Sequence, residues 1–391
     1  MSAATVSRGA RFFVVTSLAW LVCWQAAVVL GGGRRVAVLL GLYGFVLHMV
    51  FGKAYALVPS YFDRPLAFPK APLVHLPLAA GGTAAMALDT AGFVDLWAVG
   101  AAAWALGCGV FVGTLLWSVR DNPLGSETGT ADSKAQYRGT DRLANGFVPV
   151  VFAYLLTGAA LPVAALLGVP TPLPTAGPPV THLLAVGTAA LLVFALGFRL
   201  LPRFLTVPPR TRLAAVVLPA GAIGPLLLAT DFGGGTTFLL GGTLQSVALL
   251  GFAVAYADVF YRSDRRRLGL NTFLLAVAFG VGVATLGLTM AITGIDPAIA
   301  DAHARLALLG FLGLAIVGVS YQFYPPAVAG VSGLDDRTAT AAVGALAVGV
   351  LLEAGGLLGG SDILVTLGRW LALVGAVLHA LVVVAVLRSR H

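Results

Sequence analysis

Twelve runs of apolar sequence, each long enough to form a membrane-crossing helix, leave this chain few ways to fold. A hydrocarbon layer about 30 Å thick is crossed by about 20 residues of helix. Backbone polar groups in lipid must also be satisfied within the spanning structure itself. The runs lie near 10–30, 35–59, 71–91, 94–118, 146–168, 179–202, 212–230, 237–260, 269–293, 303–326, 338–358 and 363–387. The expected class is all-α, a polytopic membrane protein whose single transmembrane domain covers residues 1–391. Charge is too scarce, at 10% of residues against 59% hydrophobic, to coat a water-soluble surface of this size. The 49 glycines suit helices that pack closely in lipid. Cys23 and Cys108 fall inside apolar runs and read as small buried hydrophobes.

The net charge of +8 would raise nucleic acid as a partner in a soluble protein. Here the cations gather in alternate links, and no basic amphipathic helix, zinc spacing or phosphate loop is present, so no nucleic-acid partner is expected. With the N-terminus inside, eighteen cations fall on the inner side: Arg8, Arg11, Arg64, Lys70, Arg120, Lys134, Arg138, Arg142, Arg203, Arg210, Arg212, Arg262, Arg265, Arg266, Arg267, Arg337, Arg388 and Arg390. The outer links carry only Arg34 and Arg35, beside Asp231, Asp296, Asp301 and Asp362. That asymmetry puts both termini in the cytoplasm. Arg8 and Arg11 before an apolar run could imitate a signal peptide, but the charge pattern depends on a retained first helix. Segment 119–145 is the one polar loop of any size, on the cytoplasmic side. The link at 169–180, with five prolines, reads as a stiff strap.

The second and tenth helices match at a constant offset of 266 residues. Gly44, Phe45, Gly52, Tyr55 and Pro59 correspond to Gly310, Phe311, Gly318, Tyr321 and Pro325. The sixth helix joins through Gly187, Phe198 and Pro202. Three pseudo-repeated four-helix units, about 1–118, 146–260 and 269–391, account for the spacing; a shared glycine-rich composition is the alternative.

Ionisable groups inside a span are functional candidates because they are costly there. His303 opens the tenth helix and His182 the sixth, both near the outer face, and His182 aligns with Arg305. Neutral imidazole is a common axial ligand of haem iron, so the two are candidate metal ligands. His48, mid-span, is a weaker third. His75 and His379 read as structural, and His391 as a solvated terminus. Glu353 and Arg369 lie at similar depth in adjacent helices and should pair. Asp301 and Arg305, four apart, could pair on one helix face. Snorkelling accounts for Lys53 and Arg199, and Gln245 suits an interhelical hydrogen bond.

The tenth helix reads HARLALLGFLGLAIVGVSYQFYP, from His303 to Pro325. It resembles the tenth helix of the catalytic subunit of haem–copper oxidases, where a His-x-His pair opens the helix before a similar Gly, Gly, Pro spacing. The chain also resembles the NnrS family, membrane proteins linked to haem, copper and nitric oxide. The resemblance implies twelve helices, an internal N-terminus and a pseudo-threefold arrangement. By resemblance, His303 stands where the family binds its active-site haem, but Arg305 replaces the ligand of the electron-transfer haem. The partner of that second ligand would fall at Ala37. The sixth helix lacks the copper-site motif, and the seventh (RLAAVVLPAGAIGPLLLAT) has no histidine. What carries over is one haem b, on His303 and, by inference from the repeat, His182, without copper and without an oxygen-reducing centre. Arg34, Arg35 and Arg305 would neutralise the haem propionates. The function expected is respiratory electron transfer or nitric oxide handling, with a respiratory-chain partner, in a prokaryotic plasma membrane. Arg far above Lys fits a GC-rich genome. A small-solute transporter or a non-catalytic scaffold subunit are the competing readings.

Overall fold

A computed structural model describes residues 2–389, with side chains from Arg8 onward. Arg390 and His391, assigned above to the inner cations and to a solvated terminus, lie outside the described residues. Among the described residues, twelve helices are long and apolar enough to cross a membrane. They are α1 (Arg8–Val29), α2 (Arg34–Tyr61), α3 (Ala71–Thr90), α4 (Trp97–Ser118), α5 (Asp132–Leu166), α6 (Pro178–Leu205), α7 (Thr211–Thr230), α8 (Gly235–Tyr261), α9 (Leu268–Thr293), α10 (Pro297–Phe323), α11 (Asp336–Gly359) and α12 (Asp362–Ser389). Leu106, Val254 and Leu351 stand more than half exposed on outer helix faces. Such side chains are a liability in water and at home in lipid. The protein is a multi-pass helical membrane protein.

Three helices differ from the rest. The central windows of α2, α6 and α10 are 67%, 72% and 72% buried, against 44–56% for the others. They form the core, and the remaining nine surround them. Around that ring, α3 pairs with α4, α7 with α8 and α11 with α12. Next, α4 meets α5, α8 meets α9, and α12 returns to α1. Glycines set the close pairs. A Cβ built on Gly82 would stand 2.8 Å from the Gly100 carbonyl oxygen, and one on Gly368 2.6 Å from that of Gly349. Backbones that close tolerate no side chain between them.

Each core helix also contains an eight-residue π-helical segment: Leu39–Val46, Leu183–Ala190 and Leu306–Gly313. The three segments touch one another at the centre of the bundle. The wide turn leaves carbonyls to be satisfied from the side. Ser17 donates to the Phe45 carbonyl at 2.7 Å, His48 Nδ1 to Tyr43 at 2.8 Å and Thr188 to Leu183 at 3.1 Å. Within the segments, Gly44, Gly187 and Gly310 receive the rings of Trp20, Tyr154 and Phe279, from α1, α5 and α9.

Segment 119–145 is more ordered than a loop. It contains a 3-10 turn (Asp132–Tyr137) and a helix (Arg138–Gly146) that packs on α6 and leads into the apolar part of α5. The helix α10 begins earlier than the hydropathy suggests. Asp296 accepts from the Ala298 and Ile299 amides at 2.9 and 3.0 Å and Pro297 follows, a strong start signal. His303 therefore lies in the second turn.

Candidate functional site

The polar groups of interest cluster at the bundle end opposite the termini, where α6 and α10 begin. His182 follows Pro178 and Pro179 in the first turn of α6. Its Nδ1 bonds the Pro178 carbonyl at 2.8 Å, and its ring lies 5.0 Å from that of Phe232. A carbonyl can only accept, so Nδ1 carries the proton and Nε2 keeps its lone pair. The His303 imidazole rests beside Gly287 of α9, where a Cβ would stand 3.1 Å from its Cε1. Its Nδ1 is buried and has no partner. The two half-buried imidazoles lie within electrostatic reach of each other.

Among the described residues no group of three or more His, Cys, Asp or Glu could hold a metal ion. Structural zinc sites take four protein ligands and catalytic ones three. A haem brings four nitrogens of its own and asks the protein only for axial ligands. Two imidazoles with an available ring nitrogen each fit a haem iron in number and in chemistry.

Three of the cations at this end, Arg34, Arg305 and Arg369, have protein partners. Arg34 Nη2 lies 2.5 Å from Asp301 at the surface and reaches the Pro297 carbonyl at 3.5 Å. Arg35 is exposed. The expected Asp301–Arg305 pair does not form, because the two side chains leave the helix toward different neighbours. Arg305 turns inward, its Nε 2.6 Å from Glu353 and its Nη2 3.0 Å from Gln25 Oε1. Glu353 also receives Arg369 at 3.0 Å, as the sequence suggested. Gln25 and Glu353 are almost wholly buried, and Trp24 stacks nearby with its ring centre 5.1 Å from the Arg305 guanidinium carbon. Ala37, which stands where the second haem ligand's partner would be, offers no donor atom.

The other histidines lie deeper. His48 serves the π-segment carbonyl of Tyr43, His75 meets the Tyr55 hydroxyl at 3.1 Å and His379 the Tyr321 hydroxyl at 3.0 Å. All three are fully buried in aromatic surroundings. Gln245 bonds the Gly221 carbonyl across α7 and α8 at 3.3 Å, as expected. Both cysteines are free thiols, Cys108 buried and Cys23 exposed, which corrects the expectation of burial for the latter.

Snorkelling fails for Arg199 at the termini end, while the half-buried Lys53 there has a protein partner. Arg199 is only 3% exposed and bonds the carbonyls of Tyr61 and Thr128 at 3.0 and 2.9 Å and the side chain of Asn145. It lies 3.5 Å from Asp141, a fully buried carboxylate that also binds Arg203 at 2.5 Å. Lys53 donates to the Tyr324 hydroxyl at 2.9 Å, joining α2 to the end of α10. Arg199 was read as a solvated tip because hydropathy marks segment 119–145 as polar but does not show that it folds back over the end of α6. Beside this network lies an open cavity of about 390 Å³, lined in part by Asp63, Glu127, Arg138 and Arg142. Its charges are largely paired: Glu127 holds the Arg64 guanidinium above its ordinary range through a 2.7 Å bond, and Arg138 binds Asp132 at 2.7 Å.

No family model matches the chain, and no curated protein matches it either.

Proposed function

We propose that this protein is a haem-binding membrane protein of haem–copper-oxidase-like architecture, acting in respiratory electron transfer or nitric oxide handling without an oxygen-reducing centre. The observation that carries this reading is that His182 and His303, each with an available ring nitrogen, lie at one end of the bundle near the start of two core helices and within electrostatic reach of each other. A neutral imidazole with one ring nitrogen's lone pair free is what axial ligation of a haem b requires. Bound there, a haem would supply a one-electron redox centre. The chain's own residues do the rest. The Pro178 carbonyl fixes the tautomer and orientation of His182, a common second-shell role. Gly287 leaves room at the edge of the His303 ring. Arg35, exposed at this end, would offer positive charge to a haem carboxylate, while the charge of Arg34 is matched by Asp301 and Arg305 retains one unpartnered nitrogen.

The architecture is read as three four-helix units. The π segments begin within one residue of the same aligned position in α2, α6 and α10. π-helix is well under 1% of residues in ordinary proteins, so three aligned segments weigh against coincidence of composition. The aromatic-on-glycine contacts and the tight pairs between the third and fourth helices recur with the same order. Both termini are read as cytoplasmic and the membrane as a prokaryotic plasma membrane, on the eighteen-to-two cation asymmetry and the Arg-rich composition.

Purification from haem-replete cells, a reduced-minus-oxidised spectrum and a pyridine haemochrome assay test the reading. Haem b absorbance that is lost in His303→Ala is the expected result. A colourless wild-type protein would end it and leave the transporter and scaffold readings, which proteoliposome uptake separates.

A further inference from the structure

The cluster below His303 has more positive charge than its protein partners neutralise. Arg305 and Arg369 share the single carboxylate of Glu353, which is 1% exposed, and these are the charged groups that act on Arg305. Two guanidiniums against one carboxylate leave one net positive charge in the outer half of the bundle. The hydrogen-bond account is unbalanced in the same sense. Arginine has no acceptor atom, so its bond to Gln25 Oε1 fixes the amide with its oxygen toward Arg305 and its NH2 away. That Gln25 Nε2, Arg305 Nη1 and the indole Nε1 of Trp24 are all buried without a partner. Gln25 and Trp24 have no exposed surface, and Arg305 has 8%. All three unpartnered atoms are donors, carried on side chains that already touch or stack on one another.

A buried donor without an acceptor is costly, and the surplus charge is shared between the buried Arg305 and Arg369, whose side chain is 34% exposed. A water molecule would satisfy donors but leave the charge. One acceptor answers both deficits: a singly charged anion. We propose that the Arg305–Gln25–Trp24 cluster binds a small monovalent anion of halide size, held by the guanidinium Nη1 and the Trp24 indole N–H, with Gln25 fixing the guanidinium through its oxygen. The neutralised cluster then ties α1 to α10, α11 and α12, so the anion is an element of the fold independent of any metal at His303.

The test uses the full-length protein in detergent. Its unfolding midpoint is followed while chloride or bromide replaces gluconate at constant ionic strength, which removes general screening. A saturable rise with chloride and bromide is expected. Arg369→Gln removes the surplus charge but leaves Arg305 paired to Glu353 and all three donors in place. It should weaken the apparent affinity by at least about tenfold, the scale set by one unit charge a few ångströms away. His303→Ala should respond as the wild type does. A midpoint indifferent to the anion, or an unchanged affinity in Arg369→Gln, overturns the proposal. So does a response seen only in His303→Ala, since that would mean that a haem carboxylate occupies the cluster in the wild type. Anomalous scattering from bromide beside Arg305 Nη1 would support it directly.

Discussion

Replacing Arg199 with Ala separates a snorkelling side chain from a structural one. In the structure its guanidinium bonds the Tyr61 and Thr128 carbonyls and Asn145, and its Nε lies 3.5 Å from the buried Asp141. Hydrogen bonds to a charged group contribute about 1.5–3 kcal/mol each, though neighbouring terms do not add. Stripping a buried carboxylate of its only partner costs about 3–5 kcal/mol, but Asp141 keeps Arg203 and a 2.5 Å bond from Thr130. These terms bring the loss to about 3–4 kcal/mol. Arg199→Lys keeps a charge toward Asp141, but its single ammonium nitrogen cannot reach acceptors that the guanidinium meets from two separate nitrogens, and it should lose about 2 kcal/mol. Equilibrium unfolding in mixed micelles measures both. Limited trypsinolysis at Lys134, Arg138 and Arg142 reports whether the 119–146 segment has come loose, and cleavage should accelerate in Arg199→Ala. A side chain that merely reached to water would change stability by about 0.5 kcal/mol or less. A value in that range, with unchanged cleavage, would refute the network.

Three further perturbations probe packing and buried charge, measured by the same unfolding equilibrium. Glu353→Ala leaves two guanidiniums without a counter-ion and should cost about 3–5 kcal/mol; adding Arg305→Leu should recover part of that loss. In Gly318→Leu the new Cβ would stand 2.7 Å from the Gly269 carbonyl oxygen, a backbone atom that cannot swing aside, so a loss of about 3 kcal/mol is expected. Gly344→Ala, with nothing within 4 Å of the new methyl, should be neutral or gain up to about 1 kcal/mol.

The spans were legible because lipid imposes one requirement on every residue of a crossing helix, and hydropathy reads it directly. Glu353 and Arg369 were legible for a related reason, since two charges at one depth in adjacent helices have few other places to go. The π segments were not. An apolar helix such as LLGLYGFV has no polar face whose rotation could betray a widened turn. Arg305 was misassigned by helical spacing, which sees Asp301 four residues away but not Glu353, 48 residues later on a neighbouring helix. Gln25 and Asp141 went unnoticed for the same reason. Nothing local marks them, and their importance arises only when distant segments close over them. His182 and His303 stood out because the repeat alignment supplied a long-range relation that single-helix patterns lack.

The π segments also bear on history. One residue inserted into an α-helix is a common origin of a widened turn, and it re-aims every side chain beyond it by about 100°. On the three-unit architecture proposed here, three independent insertions at one aligned position would be needed if each unit acquired its own. A single insertion in an ancestral four-helix unit, inherited by all three copies, needs one. The bulge would then be older than the twelve-helix chain, and the contact between the three segments would date from the first association of separate subunits.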